Sequence, residues 1–140
     1  MRLPPLEIRT RHPRELVEVT AQVREAVRAA GMRGGVVVVF CAHTTAGVTI
    51  QENADPHVQA DLLLALENAI PERPVRGTYW HAEGNSDAHV KATLVGSSAT
   101  VIVDDGDLVL GTWQGIYLCE FDGPRVRRLE VKLLPDQRDS

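Results

Sequence analysis

Aromatic side chains are scarce, at 4% of the chain with Trp, Tyr and Phe twice each. The core must therefore be aliphatic. Cysteine occurs only at Cys41 and Cys119, each inside an apolar run and without a Cys-x-x-Cys spacing. That excludes a cysteine zinc motif and reads as reduced, buried thiols in a cytoplasmic protein. No apolar run is long enough to cross a bilayer, and Met1-Arg2-Leu3-Pro4-Pro5 lacks the continuous apolar core of a signal peptide. Positive charge is not in excess: 15 Lys and Arg against 19 Asp and Glu leave a net charge of −4, which offers no global field for nucleic acid. Repeats, low-complexity tracts and linkers are missing too. The 140 residues read as one domain, 1–140, long enough to enclose a core.

What the chain does have is a succession of clear periodicities. Leu6-Glu7-Ile8-Arg9 alternates as an edge strand does. Pro13 suits a first helical position, and Leu16, Val19, Val23, Val27 and Ala30 recur at helical spacing up to Gly31, predicting a sheet-covering helix over about 13–30. Residues 35–41 are β-branched and continuous, which predicts a strand buried on both faces. A second strand over about 47–52 places Val48, Ile50 and Glu52 on one face. Asp55-Pro56 opens a helix with the apolar stripe Val58, Leu62, Ala65, Leu66 and Ala69, and Pro71 stops it. After a loop, Asn85 or Ser86 caps a short helix running toward Val95. Four strands follow, over about 99–103, 107–110, 115–121 and 125–134, the first two joined by an Asp105-Gly106 hairpin turn. Asp104, Asp105 and Asp107 are too few for a calcium loop. Residues 135–140 read as a polar, frayed tail. The order predicts an α+β fold, a largely antiparallel, two-layered, sandwich-like sheet covered by two main helices and one short one.

Chemically active side chains concentrate in two stretches. Residues 80–91 carry His81, Glu83, Asn85, Ser86, Asp87, His89 and Lys91. Residues 43–55 carry His43, Thr44, Thr45, Glu52, Asn53 and Asp55. Neutral imidazoles from separate elements suit an open three-nitrogen metal site, and equally an anion or general acid–base work. Glu52, at the rim of an apolar face, is ion-paired or functional. Asn53, Asn85 and Ser86 stand by helix starts, where they cap the helix or help to hold phosphate. Lys91 adds a cation there or points to water. Trp113-Gln114 suits stacking on a heteroaromatic ring, or a subunit interface. Glu120, Arg125 and Arg127 fall on buried faces of neighbouring strands, as an ion pair or as an anion site. His12 and His57 read as surface groups.

The motifs His43-Thr44-Thr45, Glu52-Asn53-Ala54-Asp55-Pro56, His81-Ala82-Glu83-Gly84-Asn85, Asp87-Ala88-His89, Leu108-Val109-Leu110-Gly111-Thr112-Trp113-Gln114 and Glu120-Phe121-Asp122-Gly123-Pro124-Arg125 occur in this order. Together they resemble the YjbQ-like family, small proteins often labelled secondary thiamine-phosphate synthase, over nearly the whole chain. The resemblance implies a sandwich-like α+β homotrimer. It implies a polar site at His43, Glu52, Asn53, His81, Asn85 and His89 that holds a metal or an anion. The implied activity joins hydroxymethylpyrimidine diphosphate to thiazole phosphate. On this reading His43, Glu52 and His89 are catalytic, and Asn53, Asn85, Trp113, Gln114 and Arg125 bind substrate. His43, His81 and His89 would hold a divalent metal ion, magnesium or zinc. The expected partner is a small phosphorylated metabolite, with neither nucleic acid nor membrane. The alternatives are a metal-dependent hydrolase with Glu52 as base and a non-catalytic trimeric module that binds a metal or phosphorylated metabolite.

Overall fold

The computed structural model describes residues 1–137. The elements run β1 (Leu6–Arg9), β2 (Glu15–Glu18), α1 (Thr20–Ala30), β3 (Gly35–Cys41), β4 (Ala46–Glu52), α2 (Pro56–Ala69), α3 (Ser86–Val95), β5 (Ser98–Asp104), β6 (Asp107–Leu108), β7 (Gln114–Glu120) and β8 (Val126–Pro135). Pairing is antiparallel throughout, in a five-stranded sheet ordered β1-β8-β3-β5-β6 and a three-stranded sheet ordered β2-β7-β4. Period-two patterning explains the two layers, because alternate residues must all find one dry face. Val37, Val39, Val101, Val103, Leu129, Val131 and Leu133 from the larger sheet are buried in one cluster with Val48, Ile116 and Leu118 of the smaller. The opposite face of the smaller sheet presents Cys119, and with Phe121 just beyond, to Ala88 and Ala92 of α3 and to Leu63 and Leu66 of α2. Helix α1 adds Val23 and Val27 to the main core. Both cysteines are free and buried, and burial pushes the Cys119 thiol up to about 12.

Several expectations need correction. The predicted helix over 13–30 is two elements, since Glu15–Glu18 is a strand laid along β7 in the register Glu15↔Glu120 to Glu18↔Tyr117. The Val19 N–H continues that ladder to the Ile116 carbonyl at 2.8 Å, and the Ile116 N–H donates to Thr20 Oγ1 at 2.8 Å. Pairing with a strand a hundred residues away overrides the local helical spacing. Strand β3 is buried on one face only, and Phe40 on the other is 43% exposed. In α2 no residue is fully buried; Leu63 packs inward beside Leu66, whereas Ala65 and Ala69 are exposed. The polar tail begins later than expected: Pro135 belongs to β8, and the Asp136 N–H donates to the Gly34 carbonyl. Residues 138–140 lie outside those described. Asp105 and Gly106 both have positive φ, 49° and 75°, as a tight two-residue hairpin requires.

Gly47 controls how closely α3 approaches β4. A Cβ there would stand 2.5 Å from the Gly96 carbonyl oxygen and 3.2 Å from Val95 Cγ1. The Gly96 carbonyl is itself fixed, accepting the Val48 N–H at 3.1 Å. Gly47→Ala is therefore expected to cost about 1–3 kcal/mol through overpacking. Denaturant titration checks the loss, and backbone amide shifts should move most in α3 and β4.

Candidate functional site

His43 stands where β3 leaves the larger sheet. Beyond Cys41, its ring replaces the missing strand: the Arg128 N–H donates to His43 Nε2 at 3.0 Å. Behind it lies a dry ion pair. Glu120 and Arg127 are 0% and 2% exposed. Arg127 donates through Nε to Glu120 Oε1 at 2.9 Å and through Nη2 to Oε2. Glu120 also accepts from Thr10 Oγ1 at 2.8 Å and from the Asp122 N–H at 3.0 Å. Arg127 spends its remaining Nη2 capacity on Thr45, at 2.9 Å to Oγ1 and 3.2 Å to the carbonyl. This is the ion-pair alternative of the two read from the sequence, and it pins the loop that carries His43. Burial, then the Arg127 guanidinium, lower the His43 pKa from its ordinary value, against a smaller raising effect of Glu120. We take the Arg128 contact itself as favouring the neutral ring, since a donor N–H needs a bare nitrogen to bond.

His89 comes from α3, and a second ion network sets that helix. Lys91, expected to face a ligand or water, is fully buried. Its Nζ lies 2.8 Å from Asp87 Oδ2 on the same helix and 2.5 Å from Glu67 Oε1 on α2. Arg14 closes the square, with Nη2 3.2 Å from Asp87 Oδ2 and Nε 2.5 Å from Glu67 Oε1. Burial alone would raise Asp87, but the Lys91 and Arg14 hydrogen bonds outweigh it and hold the carboxyl below its ordinary value. Asn85 occupies the N-cap position of α3 without capping it; its Nδ2 donates to Asp122 Oδ2 at 2.9 Å. Asp122 also accepts from Arg125 Nη2 at 3.0 Å. Arg125 thus precedes β8 and is half-exposed, contrary to its expected place on the buried face.

These elements converge on a cavity of about 360 Å³, lined by His43, Thr44, His89, Thr93 and Ser97. His81 approaches from the preceding loop, its ring edge-on to that of His89 with centroids 5.2 Å apart. The expected three-histidine metal set does not form within one chain. Among the described residues no group of three or more His, Cys, Asp or Glu stands close enough to hold a metal ion. His43 Nε2 is already engaged by Arg128.

Glu52, Asn53, Trp113 and Gln114 lie elsewhere. Strand β4 pairs with β7 so that Ala46 meets Glu120 at one end and Glu52 meets Gln114 at the other. Seven extended residues separate those ends by about 20 Å. Asn53 Nδ2 donates to Glu18 Oε2 at 3.0 Å, and Gln114 Oε1 accepts the Gly111 N–H at 2.8 Å. Both line a separate polar cleft of about 400 Å³ with Thr20 and Arg24. Trp113 is 62% exposed beside it. His12 and His57 are surface groups, as expected. Sequence reasoning missed the Arg128 amide, Asp122 and the Arg14–Glu67–Asp87–Lys91 square. Of these, only the i,i+4 spacing of Asp87 and Lys91 carried a local signal.

Known proteins resemble this chain in sequence and in architecture. Residues 5–136 match the family described as UPF0047 protein YjbQ-like. A UPF0047 protein of Methanocaldococcus jannaschii is 46% identical over 131 residues, covering 94% of this chain and 93% of that one. The UPF0047 protein YugU of Bacillus subtilis is 44% identical, covering 92% and 96%. Among solved structures, a YjbQ/UPF0047 family protein of Clostridium acetobutylicum superposes with a TM-score of 0.89 at 48% identity, covering 94% of this chain and all of that one. A protein of Thermus thermophilus superposes at 0.85 with 41% identity, covering 94% and 100%. A match along almost the full length, in sequence and in fold, places this chain in the YjbQ-like UPF0047 family.

Proposed function

We propose that the chain is a secondary thiamine-phosphate-synthase-like transferase acting at the His43–His89 cavity. The thiazole nitrogen would attack the methylene carbon of hydroxymethylpyrimidine diphosphate. The carbon–oxygen bond to diphosphate breaks, and diphosphate leaves with the bonding pair. The observation supporting this reading is that His43 and His89, from separate elements, line one cavity of about 360 Å³, within the size range of small-ligand sites. Imidazole donors there would meet the charge that develops on the leaving diphosphate. A divalent cation enters this account as the partner of the diphosphate substrate. The hydrolase alternative is less favoured, because Glu52 does not stand beside the histidines in one chain.

Assembly as a homotrimer belongs to the same proposal. Trp80 is 95% exposed, and Leu64 and Leu94 on α2 and α3 are 61% and 67% exposed, large apolar side chains of the kind that subunits cover. Glu52, Asn53, Trp113 and Gln114 would serve the His43–His89 cavity only if a second copy brought them to it.

The binding test is calorimetric. Wild type is expected to bind hydroxymethylpyrimidine diphosphate with magnesium, and His89→Ala to bind it at least tenfold more weakly, about 1.4 kcal/mol. Melting temperature and assembly mass should be unchanged. Equal affinity in the folded variant would remove the cavity from the account.

A further inference from the structure

We infer that His43 is a fixed hydrogen-bond donor to an oxyanion, a neutral imidazole with its proton on Nδ1, and neither a metal ligand nor a base. The inference deepens the reading of the cavity as a phosphate-binding place and rests on it. Its ground is the bond from the Arg128 N–H to His43 Nε2, at 3.0 Å. Arg128 lies in β8, which is paired on one side with β1 and on the other with β3, so this amide is held in place. An imidazole nitrogen that accepts a hydrogen bond carries no proton, and a neutral ring then carries it on the other nitrogen. Among the described residues, His43 Nδ1 has no hydrogen-bond partner, and it is not a buried orphan. The donor therefore remains available to a ligand in the cavity, beside the hydroxyl-bearing Thr44 and Ser97.

The surrounding charge points the same way. Arg127 and Arg125 both act on the His43 ring as positive charges. A field of that sign opposes a divalent cation on the ring and attracts an anion. Glu120, the acid behind the loop, acts on the ring in the opposite sense but less strongly than Arg127. The ligand class is therefore a phosphate or diphosphate group that accepts hydrogen bonds, and the main chain presets the donor that receives it.

The test uses ¹⁵N-labelled full-length protein and long-range imidazole NMR at pH 7. His43 is expected as the Nδ1–H tautomer, and its Nδ1 resonance should move when inorganic diphosphate is added while Nε2 stays in place. Zinc alone should leave both nitrogens unmoved. An Nε2–H tautomer, or a stoichiometric zinc shift on His43, overturns the inference. A pair of variants gives a second readout. The amide of His43→Asn reaches the position of Nδ1 and should keep diphosphate affinity within about threefold. His43→Gln reaches only the position of Nε2 and should lose tenfold or more. The opposite ranking also overturns the inference. None of these readouts depends on turnover, so they stand apart from the success or failure of the condensation reading.

Discussion

Glu120→Ala is expected to remove about 3–5 kcal/mol of unfolding free energy, because it strands a buried guanidinium. Arg127 is 2% exposed, and among the described residues Glu120 is its one charged partner; its other bonds go to the neutral Thr45. Thr10 Oγ1 and the Asp122 N–H lose an acceptor at the same time. Replacing both charges, as Glu120→Leu with Arg127→Met, should cost clearly less than the single change, since neither partner of this pair is then left as an unpaired buried charge. Denaturant unfolding of wild type, Glu120→Leu, Arg127→Met and the double variant measures this cycle, with Glu120→Ala beside it. The pH dependence has a fixed sign. Burial would raise Glu120, but hydrogen bonds from Arg127, the Asp122 amide and Thr10 outweigh it and hold the carboxyl below its ordinary value of 4.5. Its contribution to stability is then fully present above that ordinary value and is lost as pH falls through the lower folded value. The Ala variant should lose less stability than wild type over that acid window. The double variant serves the site as well as the core, because removing Arg127 frees Thr45, and the His43 loop should become more mobile while the sheets persist.

Lys91→Ala should be the next most damaging change, at about 3 kcal/mol, and its effect should concentrate in α3. The lysine is completely buried between Asp87 and Glu67, which lie on different helices. Removing it leaves Asp87, 2% exposed, with Arg14 alone at 3.2 Å. Glu67 and Arg14 are each about one-third exposed and recover solvation, which keeps the cost below that of the Glu120 site. Hydrogen exchange should show the amides of α3 opening well before those of β3 and β8. Because α3 carries His89, which lines the cavity, ligand affinity should fall with helix protection.

Much of the fold was legible because it is written in short-range chemistry. Asp55 caps α2 through a 2.9 Å bond from the His57 N–H, and Asp105-Gly106 turns the β5–β6 hairpin. The Gly31 N–H closes α1 onto the Arg28 carbonyl at 3.0 Å. Strand β2 was not legible in that way. Its residues fit a helix equally well, and only the distant β7 decides between the two. The site divides along the same line. His43 and His89 do line one cavity, and His81 meets His89 edge-on, but the three do not form one metal-holding group among the described residues. Glu52 and His43 could have been separated on paper, since the whole of β4 intervenes between the motifs that carry them. Lys91 shows the opposite limit. Whether a lysine on a short helix faces solvent or an acid square depends on α2 and Arg14, which no local pattern near residue 91 reveals.

The most direct measurement is product formation. Wild type and His89→Ala, both folded and at equal concentration, would receive hydroxymethylpyrimidine diphosphate, thiazole phosphate and magnesium, with thiamine phosphate read out over time. The account predicts product in proportion to wild-type protein and none above background from the variant. No product from wild type, or equal product from both, would contradict it.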